Sequence, residues 1–552
     1  MNHFINIHVE CLRKYFKEKE IMTPKEVFNA QLIMEKSDRH LGWIGTFKSQ
    51  QPDINVKKND WLEEKIDSEL RGIVVMTSKE CFELCTNRPC QIAVGKVFTF
   101  QKMFPSETYL IQAMYDITKY KTPQKELRNI LFGQKPTEVS LLQEITFINP
   151  KLDDSQKRAV RHCMYKKFTF LHGPPGTGKT LTLLEILMQC IGKGKKVLML
   201  APCHSAVDNI LGKILQNGHE KIVRLGHPAC TSFPEMCLTN KAKQLNQTEK
   251  FILHEAQVVF GTLAGSIKTL ALMKSNHFPM ILVDEAGLCM ECLIWSVVKY
   301  STNLILAGDF HQLGPRITSR DKNVKIVLGK SMIERLANND TGLMQTLSIQ
   351  YRMSDEIMQW SNKTFYGGNL QSASIVANIN LLSLPGIRFS KLPTKRTLYL
   401  IDTNGKKGEV VCEDGKYISF YNPGESASVA KIVKNLLRSG VKQHQLGVIS
   451  FYRKQIDDIE SRLKIKNIEH VEVMSVDSFQ GREKEVIILS MVRSNIDCNI
   501  GFLQDSKRLN VSATRARRLL IVVVDTKTFQ HNEIFESFFE HLRLHGDVRI
   551  FR

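Results

Sequence analysis

The sequence of 552 residues contains no run of eighteen apolar residues, so no membrane-spanning helix is expected. Its first twenty residues, MNHFINIHVECLRKYFKEKE, lack the compact apolar run and small-residue cleavage site of a secretory leader. Internal repeats and low-complexity tracts are absent, which leaves a series of ordinary globular domains. Cysteine is thin and uneven: thirteen residues, scattered and odd in number, fit reduced thiols better than a disulfide framework. Cys81, Cys85 and Cys90 lack a convincing fourth ligand for zinc, and the Cys289/Cys292 pair, which follows the DEAG motif, reads as packed or solvent-facing thiols rather than redox chemistry. Acidic residues are also in short supply. Against 76 Lys and Arg stand 56 Asp and Glu, a net charge of +20, which favours a polyanionic partner, nucleic acid ahead of a membrane surface.

What is present is apolar enough, at 43%, for proper cores, and the length predicts about three or four structural units. Residues 1–66 carry no clear pattern. From 67 to about 118, GIVVMT, CFELCT, QIAVGKVFTFQK and TYLIQAMYDI are short and rich in β-branched and aromatic residues, which predicts a small antiparallel sheet or barrel. Residues 119–150 read as helical, then loop-like, so 67–150 is taken as a small β-barrel with stalk helices. Beyond 150 the apolar runs FTFLH, KVLMLAP, QVVFGT, MILVDEA and LILAGD alternate with helical segments. After a long middle stretch come LGVISFY, VEVMSV, VIILSMV and LLIVVVD. Near-continuous Val/Ile/Leu runs of this kind predict parallel strands covered on both faces. They fall into two open α/β sheets, 151–315 and 331–552, joined by a linker at 316–330. Ligands of such sheets bind at the carboxyl ends of strands, so the residues after each run matter most.

After FTFLH comes GPPGTGKT: Gly173, Pro174, Pro175, Gly176, Thr177, Gly178, Lys179 and Thr180. This is the phosphate-binding loop pattern in its required place, between a strand and a helix. By chance the bare pattern occurs in about one chain of this length in 50. Glycines let backbone N–H groups curl around phosphate oxygens, Lys179 reaches the β and γ phosphates, and Thr180 is a ligand for Mg²⁺. ATP with Mg²⁺ is therefore the expected nucleotide. After MILV stand Asp284 and Glu285, the first a metal ligand and the second a carboxylate placed to polarise the attacking water. Gln312, in GDFHQLGP after LILA, offers an amide to orient that water. The second set of strands has no such loop but carries QYRM (350–353), SFQGRE (478–483) and TRAR (514–517). If the two sheets face each other, these arginines point at a nucleotide held by the first. Arg suits a phosphate because its guanidinium forms bidentate, charge-assisted contacts. Arg515 would then be an arginine finger supplied within one chain. Arg517 and Arg518 read equally well as helix-end cations.

In order, LDDSQKRAV, GPPGTGKT, APCHSAVDNI, DEAG, GDFHQLGP, QYRM, VDSFQGREKEVIILS and LNVSATRAR span 152–517. Together they resemble a superfamily 1B helicase of the up-frameshift-like group. DEAGLCMEC, FYNPGESASVAKIV, LGVISFYRKQ and IGFLQDSKRLNVSATRA are similar in feel to the Armitage-like silencing helicases. The resemblance implies two tandem RecA-like lobes of α/β class with parallel sheets, ATP between them, single-stranded nucleic acid across their top and 5′ to 3′ movement. It implies that Gln156 reads adenine, Tyr351 stacks on the base, Glu483 lies near the ribose, Gln312 couples the sites, and Arg352 and Arg515 sense the phosphates. For the strand it suggests Ser205, Thr262, Tyr452, Arg453 and Ser475, since hydroxyls and amides at strand ends grip phosphates and aromatics stack on any base. Four positions depart from the family pattern: Cys203-His204 replace Ser-Asn, Leu288 stands for glutamine, and Cys292 for proline after Glu291. The expectation is an ATP hydrolase that moves on single-stranded RNA, in silencing or decay with protein partners in the cytoplasm or nucleus. A DNA helicase of repair or replication, and an ATP-gated RNA clamp, are the alternatives.

Overall fold

The computed structural model describes residues 1–22, 28–38, 42–49, 61–64, 71–77, 81–86, 97–102, 107–134, 144–272, 278–337, 342–388, 395–405, 408–414 and 417–550. They form two compact units. The first comprises Met1–His172, Thr180–Phe310 and Gly314–Gln345; the second comprises Gly173–Lys179, His311–Leu313 and Thr346–Arg552. No described helix is long and apolar enough to cross a membrane.

In the first unit a closed antiparallel barrel is built from β1 (Phe28–Asp38), β2 (Gly42–Ser49), β3 (Trp61–Glu64), β4 (Arg71–Thr77), β5 (Cys81–Thr86) and β6 (Val97–Lys102), in the order β1-β2-β5-β4-β3-β6. Alternating residues fill it, among them Leu32, Phe47, Leu62, Val74, Phe82, Leu84 and Phe98. The barrel thus begins at Phe28, ahead of the boundary expected at 67. QIAVGK at 91–96 and Cys90 lie outside the described residues. TYLIQAMYDI is not a strand but most of the helix Glu107–Asp116. Its Leu110, Ala113, Met114 and the following Ile117 are buried at helical spacing, a period of 3.6 that aromatic and β-branched content had masked.

The N-terminal residues form a further helix, Asn2–Met22, which buries Ile5, Val9, Leu12 and Tyr15 along one face. It packs on the helix Lys322–Leu328, inside the stretch expected to be a linker. That segment is helical because Val324 and Leu328 complete the same core, each such aliphatic contributing about 1.5–3 kcal/mol. Glu291, 3% exposed, receives Arg335 on both carboxylate oxygens at 2.6–3.1 Å and Trp295 Nε1 at 3.0 Å. Arg335 Nη1 also reaches the Leu131 carbonyl, 2.9 Å away, tying in the stalk helix Gln124–Leu131.

The main sheet of this unit has seven strands: β7 (Phe168–His172), β8 (Val197–Ala201), β9 (Ile222–Arg224), β10 (Val258–Thr262), β11 (Met280–Val283), β12 (Leu304–Gly308) and β13 (Met344–Thr346), ordered β13-β7-β12-β11-β8-β10-β9. The pairs from β7 to β9 are parallel, and β7 to β12 are buried at every residue, as the apolar runs required.

In the second unit β14 (Ile349–Gln350) and β15 (Gln371–Ser372) pair briefly. Its main sheet contains β16 (Leu398–Asp402), then β19 (Leu446–Ser450), β20 (Glu472–Ser475), β21 (Lys484–Ser490), β22 (Ala516–Val524) and β23 (Asp547–Ile550). Their order is β20-β19-β21-β22-β16-β23, parallel throughout. Between β16 and β19 lies an antiparallel hairpin, β17 (Val410–Asp414) and β18 (Tyr417–Tyr421). Two sheets of this kind, each flanked by helices, are tandem RecA-like lobes of α/β class. The strands β9, β16 and β23 were not anticipated; β9 and β23 are short and at sheet edges, whereas β16 has five residues and lies between β22 and β23.

Candidate functional site

The strand β7 ends at His172, and the helix Lys179–Gly192 begins at the lysine of GPPGTGKT, so the loop curls at a helix N-terminus, where dipole and N–H groups favour an anion. Thr177 turns it, its amide and hydroxyl both donating to the Pro174 carbonyl, at 3.3 and 2.8 Å. Gly176 has φ +75°, and a Cβ there would lie 2.7 Å from the Arg352 Cβ, so only glycine fits. Its carbonyl accepts the Tyr351 amide at 2.8 Å. These are contacts inside the second unit, to which residues 173–179 belong. Gln156 is 1% exposed; its amide oxygen accepts the Asp153 N–H at 3.2 Å in a capping box that starts the helix Asp154–Tyr165.

In the first unit β11 delivers Asp284 and Glu285. Asp284 is 4% exposed and accepts the Glu285 amide at 2.8 Å. Glu285 has φ +50°, a left-handed conformation that costs a non-glycine residue about 1–3 kcal/mol and gathers at functional sites. At the end of β12, Asp309 meets His172 Nε2 at 3.1 Å with both side chains buried, a pairing that sequence reading missed.

The second unit gathers the arginines. Arg515, 2% exposed, sends Nε to the Val511 carbonyl at 2.8 Å and Nη2 to the Thr514 hydroxyl at 3.0 Å and the Gln312 amide oxygen at 3.3 Å. Arg352 follows Gln350, whose buried amide oxygen receives the Arg352 and Met353 N–H groups at 2.9 and 3.0 Å and so shapes the QYRM turn. Arg352 donates to the Glu483 carboxylate and, at 3.3 Å, to the Thr514 carbonyl. The two residues assigned separately to phosphate and ribose are thus an ion pair. Burial works against charge on Glu483, but Arg352 beside it, with Arg517 and Arg515 further off, holds its carboxyl below the ordinary range. Tyr351 is 38% exposed. Arg517 and Arg518 both take Glu485, at 3.3 and 2.6 Å, as partly buried cations at the start of β22.

The strand candidates divide. Ser205 is exposed in the first turn of the helix His204–Gln216, 3.3 Å from the Cys203 thiol, and Arg453 is exposed beside Asp457. Thr262 is 7% exposed, and its hydroxyl caps the Gly265 amide at 3.2 Å; Ser475 caps the Ser478 amide at 3.2 Å. Tyr452 is a correction. It is 5% exposed, with its ring against Phe420 and Phe502 at 5.4 and 4.5 Å, so it presents no open face to a base. The apolar run LGVISFY simply continues inward past the end of β19.

A buried carboxyl was not legible at all. Glu425, fully buried, accepts the Ser490 hydroxyl at 2.6 Å and the Val492 amide at 3.0 Å, while its other oxygen has no partner among the described residues. Asn422 Nδ2 donates to the Val492 carbonyl at 3.2 Å. Val492, β-branched, sits at φ +72°, a position held only because both its polar groups are gripped. Burial pushes the Glu425 carboxyl from an ordinary 4.5 up to about 8, against the opposing bonds from Ser490 and Val492. Between those values the folded chain holds a proton the unfolded chain has released, so stability falls as pH rises from 4.5 through about 8. Glu425→Gln mimics the neutral form, so its melting temperature should match wild type at pH 4 and exceed it at pH 8.5. Thermal melts across that range check this, and a wild type that gains on the variant with rising pH refutes it.

Residues 151–250 and 235–320 match a family model described as an AAA domain, and residues 328–527 match a second of the same description. DNA-binding protein SMUBP-2 of Mesocricetus auratus is 33% identical over 495 residues, covering 80% of this chain and 50% of that protein. DNA polymerase alpha-associated DNA helicase A of Schizosaccharomyces pombe is 32% identical over 493 residues, 78% of this chain and 73% of that one. A regulator of nonsense transcripts 1 homolog of Drosophila melanogaster is 32% identical over 430 residues, covering 70% and 35%. The chain spans about half the length of SMUBP-2.

Proposed function

The chain belongs to the superfamily 1B helicases of the up-frameshift-like group, and on that premise we propose that it is an ATP-dependent helicase or translocase moving 5′ to 3′ on single-stranded nucleic acid. The observation that carries this is the placing of Arg515, buried and on Gln312, in the same compact unit as Gly173–Lys179. Lys179 and the loop amides hold the phosphates, Arg352 and Arg515 the γ-phosphoryl, and Glu285 with Gln312 the attacking water. Gln156, Tyr351 and Glu483 take the base and ribose. The Thr180 hydroxyl and the buried Asp284 carboxylate fit Mg²⁺, which takes few protein oxygens and completes its shell with phosphate and water. Bound there, the metal neutralises charge that builds on the phosphate oxygens.

RNA is the proposed strand, with silencing or decay proteins as partners, on the motif likeness and on the relative named for nonsense transcripts. The relatives named as a DNA-binding protein and a DNA helicase favour a second reading, DNA. Steady-state ATPase rates without nucleic acid, with single-stranded RNA and with DNA of the same sequence separate them. Stimulation by RNA alone is the expected result. Equal stimulation would move the proposal to DNA, and no stimulation with ATP binding intact would replace the translocase by a clamp.

A further inference from the structure

All six strands of the second unit's main sheet are parallel, so their carboxyl ends form one edge, the edge at which open α/β sheets bind ligands. Tyr452 follows the end of β19 there, and Val492 and Arg493 follow the end of β21. The strained Val492, fixed by Glu425 and Asn422, sets the direction of Arg493. That arginine is 4% exposed: Nε meets the Glu409 carboxylate at 2.8 Å, Nη1 meets the Tyr452 hydroxyl at 3.3 Å, and the guanidinium lies 4.1 Å from the Phe420 ring centroid. Gly501 (φ +58°) passes so close that a Cβ would stand 2.7 Å from Arg493 Nη1. This close passage lets the next residue, Phe502, fold back over Tyr452, ring centroids 4.5 Å apart. Phe502 keeps 45% of its surface exposed, with the Arg508 guanidinium, itself paired with Asp505 at 2.9 Å, 5.6 Å from its ring, and Arg453, paired with Asp457 at 2.9 Å, exposed after Tyr452.

A single half-exposed phenylalanine needs no explanation by itself. This one rests on a stack of buried groups, Tyr452, Arg493 and Phe420, held by a strained residue. Strain and buried polar networks are retained where a surface must be held in one orientation. We propose that Phe502, carried on Tyr452, is the base-stacking surface of the second unit for a bound single strand. An aromatic face accepts any base, and neighbouring arginines serve the backbone phosphates. The inference rests on the single-strand reading given above. It also moves the stacking role, assigned from sequence to Tyr452, fifty residues along the chain to the ring that covers it.

The test uses the full chain and a 15-nucleotide strand bearing one 2-aminopurine, made as RNA and as DNA, with a matched strand carrying abasic sites. Wild type should quench 2-aminopurine on binding. Phe502→Ala should weaken binding about tenfold and lose the quench, while Phe502→Tyr keeps both. On the abasic strand the two variants should bind alike, which a mere packing defect would not produce. Binding of a fluorescent ATP analogue should be the same in all three proteins. Unchanged binding and quench in Phe502→Ala, or an equal penalty on the abasic strand, overturns the inference and leaves the single-strand reading standing. A wild type that binds ATP but neither strand overturns both.

Discussion

Arg515→Lys is expected to lower kcat for ATP about a thousandfold or more, the range an arginine finger supplies. The side chain is a buried cation with its Nε on a backbone carbonyl and its outer nitrogen shared between Thr514 and Gln312. Lysine keeps the charge but not the planar fork, so it cannot hold a helix-end carbonyl and a transferring phosphoryl group together. A buried arginine is also a structural group, and its loss alone can unfold a protein. The measurement is therefore threefold: kcat, affinity for a fluorescent ATP analogue, and the thermal melt. The assignment requires kcat to collapse while affinity changes several-fold at most and the melt stays cooperative. A folded Lys variant with kcat within tenfold of wild type would mean that Arg515 only closes the turn after Val511.

Glu285→Gln is expected to bind ATP as wild type does and to lose turnover by about 10²- to 10⁴-fold, the span of positioned acid–base groups. The substitution keeps shape and removes charge. The strained φ of +50° belongs to the backbone, whose amide is held by Asp284 and not by the Glu285 side chain. Lys179→Ala is the contrast, because it removes a cation at the loop and should lose nucleotide affinity instead. Analogue binding and single-turnover hydrolysis distinguish the two. A Glu285→Gln protein that hydrolyses ATP at full rate ends the assignment.

The buried strands were legible because burial on both faces leaves no polar position: MILV and LLIVVV can only be interior, and both are. GPPGTGKT was legible because the glycines and the lysine are needed by local geometry alone. Less local features were hidden. TYLIQAMYDI mixes β-formers with a helical apolar period, and the period decided, since Leu110, Ala113 and Met114 had a helical core to join. The N-terminal helix carries its own period at Ile5, Val9 and Leu12, but nothing in sequence marked where that face would be buried. Tyr452 and Phe502 show the same limit at the site. Both are aromatic and near a strand end, and which one faces outward depends on the turn at Val492 and the passage of Gly501.

By itself the sequence determined the two parallel sheets, the phosphate loop and the order of motifs, because each rests on residues within a few positions of one another. Only the tertiary structure decided that Arg352 pairs with Glu483, that Arg515 reaches Gln312, and that Glu425 is buried with one oxygen unpartnered among the described residues. Charge pairing and desolvation depend on distance in space, and residues 131, 203 and 67 positions apart come within hydrogen-bonding reach only after the chain has folded.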